Sequence, residues 1–475
     1  CMEKKKIQPI MNLTIIFGLL SILVIGLHYG QKRFLSFLNT EKDAQSSSFP
    51  DDFKKFQHTY LIIFYLMALA DWLQGPYVYE AYKYLGFDEK EISNLFLIGF
   101  GSSMVFGTII GGLADKYGRK MMCLVYCGCY IVTCTVQHIP NFYILAIGRV
   151  CGGIATSILF SSFESWMVCQ HHMYNFDPSY ISNTFYKQYL GNGIIAIFAG
   201  LIAGVGESLT DNVLTAFKVA IVVLCIGAIL IYTRWEENFG DANKDTRESF
   251  MEGLEALKKD KRVILTGISQ SCYESAMFIF VFMWSPTLLS SDNFNGESFG
   301  FIFACFMVSV MVGSTLFNIG KPLLSTKKLL FGTFMIALAG LIIPVLTSNT
   351  LFLMMGFLLF EMTVGLFWPS ISTMKAKYIP ENVRSIVMNY FRLPTNIFVV
   401  GTLKFISSMS TQTTFMICCL LICGSLASTY ILISTKAPEG NKETNSLVIS
   451  DSDSDEDDDD EDLFDDMMER PDDMV

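Results

Sequence analysis

Apolar runs, each long enough to cross a ~30 Å hydrocarbon core at about 20 residues per helix, follow one another along this chain with short polar breaks between them. A leader run, Ile10 to Leu27, precedes twelve others, at about 57–79, 92–114, 119–137, 142–169, 180–205, 213–233, 263–289, 298–319, 328–347, 351–374, 383–408 and 413–434. The runs are continuously apolar. They therefore predict helices and not the strands of a closed barrel, whose residues would alternate between lipid and lumen. The fold class is an all-α polytopic membrane protein. The longest interior polar stretch, Arg234 to Arg262, divides the twelve runs six and six. The expected organisation is a leader helix with a cytosolic linker (1–55), a first six-helix bundle (56–233), a cytosolic central loop (234–262), a second bundle (263–436) and an acidic disordered tail (437–475). Within the central loop the pattern from Glu252 to Lys259 predicts a helical piece.

Composition agrees: 52% of the residues are hydrophobic and 17% charged, against about 45–50% and about 25% in soluble domains. A soluble enzyme is excluded, and no enzymatic activity is expected. Asp451 to Asp473 holds fifteen carboxylates against one cation, Arg470, so the net charge of −11 becomes +3 for residues 1–450. A mildly basic apolar body calls for a lipid bilayer and not for nucleic acid. The tail cannot bury a core; it reads as a solvated segment, with Ser450, Ser452 and Ser454 open to an acid-directed kinase. Twelve of the thirteen cysteines lie in or beside apolar runs and read as small buried hydrophobes. No CxxC, HExxH or other Cys/His spacing implies a metal, and no cofactor is expected. The chain begins Cys1-Met2, so either Met2 is an initiator or the sequence starts within a longer one.

Seventeen cations stand between the runs on one side, Lys116, Arg119, Lys120, Lys258, Lys259, Lys375 and Lys377 among them, against Lys83, Lys90, Lys218 and Lys404 on the other. The positive-inside rule makes the first side cytosolic, which puts the tail in the cytosol. The leader has lysines on both flanks and no small-x-small cleavage site directly after it; a retained helix with its N-terminus outside is expected. The halves also echo each other. Phe185-Tyr186-Lys187 near the start of helix 5 matches Tyr390-Phe391-Arg392 of helix 11, with Asn192 and Asn396 a turn or so further on, and Leu159-Phe160 of helix 4 matches Leu366-Phe367 of helix 10. Parallel repeats about an axis normal to the membrane account for such echoes.

Between helices 2 and 3 stands Gly111-Gly112-Leu113-Ala114-Asp115-Lys116-Tyr117-Gly118-Arg119-Lys120. Gly118 permits a tight turn, and Asp115 can accept from a helix N-terminus or pair with Arg119. This segment resembles the G-x-x-x-D-x-x-G-R-K signature of the major facilitator superfamily, and the resemblance implies a conformational latch made of Gly111, Asp115, Gly118, Arg119 and Lys120. Gly148 to Gly153 around Arg149 resembles the superfamily's R-x-x-x-G pattern. Gly191, Gly200 and Gly204 have the spacing of its antiporter motif but lack the proline at Val205; close helix packing is the expected use of these glycines.

The match narrows with Ala70-Asp71-Trp72-Leu73-Gln74-Gly75-Pro76-Tyr77, Phe163-Glu164-Ser165-Trp166, Tyr273-Glu274-Ser275, Trp284-Ser285-Pro286 and Asn389-Tyr390-Phe391-Arg392-Leu393-Pro394. Over roughly residues 56–434 these look like the molybdate-anion transporter family. The family implies uptake of molybdate, a tetrahedral dianion, across the plasma membrane.

Charges within a bilayer are costly unless compensated, so ionisable residues there mark function. Asp71, Glu164, Glu274 and Glu361 place one acid on each of helices 1, 4, 7 and 10, the helices that line the central cavity in this fold. They are candidates for proton coupling or for ion pairs, with Arg149 a partner for Asp71 or Glu361. Lys187 and Arg392 fall at equal depth in opposite halves and suit an oxyanion, Arg392 by two parallel hydrogen bonds and Lys187 as a point charge. Asn396, Asn192, Gln74 and Tyr77 complete the expected substrate-binding set. The leading reading is a monomeric secondary transporter of a small inorganic oxyanion, coupled to protons. Sulfate, or an organic cation held by the acids, stands as an alternative substrate, and a non-transporting receptor or scaffold is the third class. No G-x-x-x-x-G-K-[ST] loop supports a primary pump.

Overall fold

The apolar runs fold as helices in a computed structural model that describes residues 15–27, 29–30, 49–159, 161–177, 179–240, 257–292, 294, 298–379 and 384–435. The linker after the leader, the stretch from 241 to 256 and the acidic tail lie outside the described residues, so of the helical piece expected in the central loop only its end, 257–259, is described, and it is helical. The chain divides into two units, Cys1–Ser434 and Thr435–Val475; everything below concerns the first.

A short apolar helix, α1 (Ile15–Leu27), carries the described part of the leader. The first half follows as α2 (Asp51–Gln74), which runs through a 3-10 turn at Gly75–Tyr77 into α3 (Val78–Tyr84), then α4 (Glu89–Tyr117), α5 (Arg119–Val136), α6 (Phe142–Leu159), α7 (Ser162–Met173), α8 (Ser179–Thr210) and α9 (Thr215–Arg234). The second half is α10 (Lys261–Leu289), α11 (Phe299–Gly320), α12 (Thr326–Leu346), α13 (Thr350–Tyr378), α14 (Arg384–Phe405) and α15 (Thr411–Ser434). Because α2 with α3, and α6 with α7, each make one span, each half has six. Among the described residues ten spans are long and apolar enough to cross a bilayer, or eleven when the two arms of α4, bent by 54° between Gly107 and Ile109, count as one. The twelfth, α14, is polar along its middle, where Arg392, Pro394, Thr395 and Asn396 follow one another.

Local chemistry sets the helix ends. Asp88 and Glu91 form a reciprocal capping box at the start of α4, and Asp260 caps α10 while pairing with Arg262 at 2.9 Å, each satisfying amides that a helix start leaves without partners. Gly118, at φ +103°, makes the turn from α4 to α5, a conformation that a β-carbon disfavours.

Within the first half α4 packs on α6, α5 on α6 and α9, and α2 on α8 and α9; within the second, α10 packs on α15 and α14, and α13 on α11 and α12. The principal contacts between halves are α8 with α11 and α4 with α14. Aromatic pairs also join the halves toward the end of the bundle away from Asp115. There Phe96 meets Phe282 at 4.9 Å, Phe100 meets Phe278 at 5.4 Å and Trp72 meets Phe303 at 5.8 Å. Gly200 and Gly204 of α8 lie against Gly300 and Ser298 with no room for a β-carbon, so the glycine spacing on this helix serves close packing.

Candidate functional site

The four acids expected on helices 1, 4, 7 and 10 are all buried or half-buried, and none forms an ion pair among the described residues. Asp71 accepts a hydrogen bond from the Tyr130 hydroxyl, which also meets Thr156 Oγ1 at 3.0 Å. Glu164 accepts from Gln188 Nε2 at 2.8 Å and from Tyr189 at 3.3 Å, and Gln188 in turn accepts from Tyr60. Glu274 accepts from Gln270 Nε2 at 2.7 Å, and the cations within electrostatic reach of it are Lys375 and Arg392. Glu361 is buried without a hydrogen-bond partner among the described residues. Neutral donors thus stand beside three of the four, where counter-ions could have stood.

Arg149 bonds elsewhere than to Asp71 or Glu361. Its Nε donates to the Leu95 carbonyl at 3.3 Å, its guanidinium lies 5.1 Å over the Phe96 ring, and Gly99 leaves the space it occupies. It lines a cavity of about 170 Å³ between the halves, with Gly75, Tyr79, Phe96, Trp284 and Ser285. A larger cavity, about 780 Å³, opens at the Asp115 end beside Arg119, Glu164, Cys169, His172, Phe185 and Phe239.

The expected substrate-binding residues are spread over several contacts. Lys187 gives its ammonium to Gln57 Oε1 at 2.6 Å, and Gln57 is itself fixed to Asn183 and Thr184. Arg392 instead extends from α14 toward the first half, where its Nη1 stands 3.5 Å from the point a β-carbon of Gly107 would occupy. The two cations therefore engage different helices, α2 and α4. Asn192 accepts from the Trp72 indole at 3.0 Å, Gln74 donates to the Ala70 carbonyl at 3.0 Å, and Asn396 is half-buried on α14. Pro394 sits inside a continuous α14, and beside it the Phe391 carbonyl accepts from Ser271 Oγ at 2.6 Å and from Thr395 at 3.2 Å. Backbone exposed inside a membrane protein needs such partners.

Tyr77 joins the two halves. Its hydroxyl donates to Glu207 Oε2 at 2.6 Å and accepts from the Gly300 amide at 3.0 Å, while Ser298 Oγ donates to the same carboxylate oxygen at 3.2 Å. Nearby, Ser285 Oγ donates to Glu80 at 3.1 Å. Glu80, Glu207 and Ser298 were not among the residues the sequence singled out; for Glu80 and Glu207 the signal was a carboxylate just past the end of an apolar run.

At the other end Asp115 pairs with Arg119 at 2.8 Å, and Arg119 also donates to the Ser165 carbonyl at 3.1 Å. The segment after α9 binds over this loop. Glu237 accepts from the amides of Lys120 and Met121 at 2.8 and 3.0 Å, the Arg119 amide donates to Asn238 O, and the Gly240 amide donates to Asp115 O. Trp235 stacks on Trp166 at 3.8 Å. Lys120 reaches the Tyr232 carbonyl at 3.0 Å, and Gly111 is exposed. All these contacts of the motif lie within the first half and the segment that follows α9.

A family profile described as sugar transporters with 12 transmembrane segments matches residues 20–356. A molybdate-anion transporter of Takifugu rubripes is 31% identical over 424 residues, covering 82% of this chain and 86% of its own length. One of Danio rerio is 32% identical over 380 residues, covering 73% and 78%. Among solved structures, a peptide transporter complexed with alafosfalin superposes with a TM-score of 0.65 at 12% identity, covering 80% of this chain and 93% of that one, a likeness of fold.

Proposed function

The chain belongs to the molybdate-anion transporter family of the major facilitator superfamily, a multi-pass membrane family of transporters and not enzymes, and on that premise we propose that it takes up a small tetrahedral oxyanion, molybdate foremost, by alternating access coupled to protons. One observation carries the reading: Arg392, without an ion pair among the described residues, extends from the second half to the bend of α4 in the first. A guanidinium offers five N–H donors in a planar fork suited to oxyanions, and one that spans the halves makes bound anion a bridge between them.

The state in hand fits one half of the cycle. The Tyr77–Glu207–Ser298–Gly300 contacts and the aromatic pairs close one end, while among the described residues the Asp115 motif bonds within the first half and the segment that follows α9. With the cation-rich end in the cytosol, this is the inward-facing arrangement, and reversal requires the first set of contacts to break as the motif engages the second half. Glu274 lies within electrostatic reach of Lys375 and Arg392, so a proton on Glu274 would leave the guanidinium to the substrate; Glu361, buried without a hydrogen-bond partner among the described residues, is the second acid suited to carry one. The protein acts as a monomer in the plasma membrane with its acidic tail cytosolic.

Competition for tracer molybdate uptake in cells expressing the chain tests the substrate class. Molybdate and sulfate should compete and cationic dyes should not. Competition by the dyes alone would favour an organic cation held by the acids.

A further inference from the structure

We propose that the oxyanion is received in a notch at Gly107, between the guanidinium of Arg392 from the second half and the hydroxyls of Ser157 and Ser103 from the first. The inference rests on the anion-transport reading above and deepens it by naming ligands that the sequence did not supply.

The point where a β-carbon of Gly107 would stand lies 3.5 Å from Arg392 Nη1 and 3.6 Å from Ser157 Oγ, the two atoms within 4 Å among the described residues outside its own stretch of α4. A cation and a hydroxyl thus flank one side-chain-sized gap, and they come from opposite halves. An anion seated there has an oxygen to offer the guanidinium, and charge-assisted hydrogen bonds of this kind close to about 2.7–2.9 Å. Ser157 donates to the backbone carbonyls of Ser103 and Gly153 at 2.9 Å, and its oxygen stands 3.3 Å from Ser103 Oγ. That contact is the sole hydrogen bond of the Ser103 side chain among the described residues, which leaves the Ser103 hydroxyl able to turn its proton to an anion. Arg392 makes no hydrogen bond or ion pair among the described residues, so its donors are open to a ligand.

The backbone points the same way. The 54° bend of α4 falls between Gly107 and Ile109; broken helices at membrane depth occur where they line a cavity. The donor set contains no acceptor-only group, which favours a ligand with several oxygens and negative charge. Lys187 is no part of it, being held by Gln57 Oε1. Glycine is required here for volume and not for conformation, since Gly107 lacks the positive φ of Gly118.

Those distances make the test clean, because an alanine at 107 meets only ordinary contacts and should fold, with helix propensity raised. Equilibrium binding of labelled molybdate to the purified full chain is to be measured for wild type, Gly107→Ala, Ser103→Ala and, as a control, Gly128→Ala, whose β-carbon points into open space on α5. Gly107→Ala should weaken binding at least tenfold at unchanged melting temperature, Ser103→Ala should weaken it several-fold, and the control should match wild type. Wild-type affinity in both Gly107→Ala and Ser103→Ala overturns the notch. If wild type binds neither molybdate nor sulfate, the anion reading itself fails, and the notch with it.

Discussion

Gly200 and Gly300 meet backbone to backbone across the two halves. A β-carbon on Gly300 would stand 2.5 Å from the Gly200 carbonyl oxygen, and one on Gly200 would stand 2.8 Å from that of Gly300. Neither position tolerates a methyl group while this end is closed. Gly300→Ala should cost the closed arrangement about 1–3 kcal/mol, the usual range for overpacking, and so favour its opening. Hydrogen exchange in Val78–Tyr84 should accelerate by roughly ten- to a hundredfold if opening governs it. Unchanged exchange would show that the contact is not what keeps this end shut.

Tyr77→Phe tests the polar part of the same closure. The change strips a donor from Glu207 and an acceptor from the Gly300 amide, each worth about 1–3 kcal/mol when left buried and unpaired. Exchange at the start of α11 should rise while the melting temperature falls by only a few degrees. A large drop in melting temperature with no local change would assign Tyr77 to general packing.

Glu237→Ala removes the carboxylate that caps α5 through the amides of Lys120 and Met121. Loss of a cap costs about 0.5–2 kcal/mol, so thermal unfolding in detergent should begin a few degrees lower, with substrate affinity unchanged. An affinity loss would place this segment in the binding pathway.

Asp115→Asn keeps the hydrogen bond to Arg119 but loses the charge. The protein should insert and bind substrate normally and transport more slowly, because the change alters the balance between states and not the site. Wild-type transport at equal surface expression would contradict a role for the latch.

The fold was legible because spanning helices demand long apolar runs, and the twelve runs read from the sequence coincide with the helical spans to within a few residues, apart from charged ends such as residues 51–56 that extend α2 beyond its run. Single charges in apolar surroundings were legible for the same reason, as with Asp71, Glu361 and Arg392. Their partners were not, since partnership is set by packing between distant segments: Tyr130 approaches Asp71 across 59 positions and Glu237 approaches Lys120 across 117. Repeat symmetry suggested that Lys187 would mirror Arg392, but Gln57, a polar residue on the neighbouring α2, gives Lys187 a local partner that Arg392 lacks. Ser103 and Ser157 carried no signal, because hydroxyls in helices commonly bond to their own backbone.

Uptake of labelled molybdate into proteoliposomes containing wild type, Arg392→Lys or Arg392→Gln, with and without an imposed pH gradient, decides whether Arg392 carries the anion. Wild type should show saturable uptake, stimulated when protons can flow with the anion. Arg392→Lys should lose about 1.5–3 kcal/mol of apparent affinity, the worth of a hydrogen bond to a charged group, and Arg392→Gln should lose more. Undiminished uptake by Arg392→Gln, or uptake by wild type no greater than that of empty liposomes, would contradict that role.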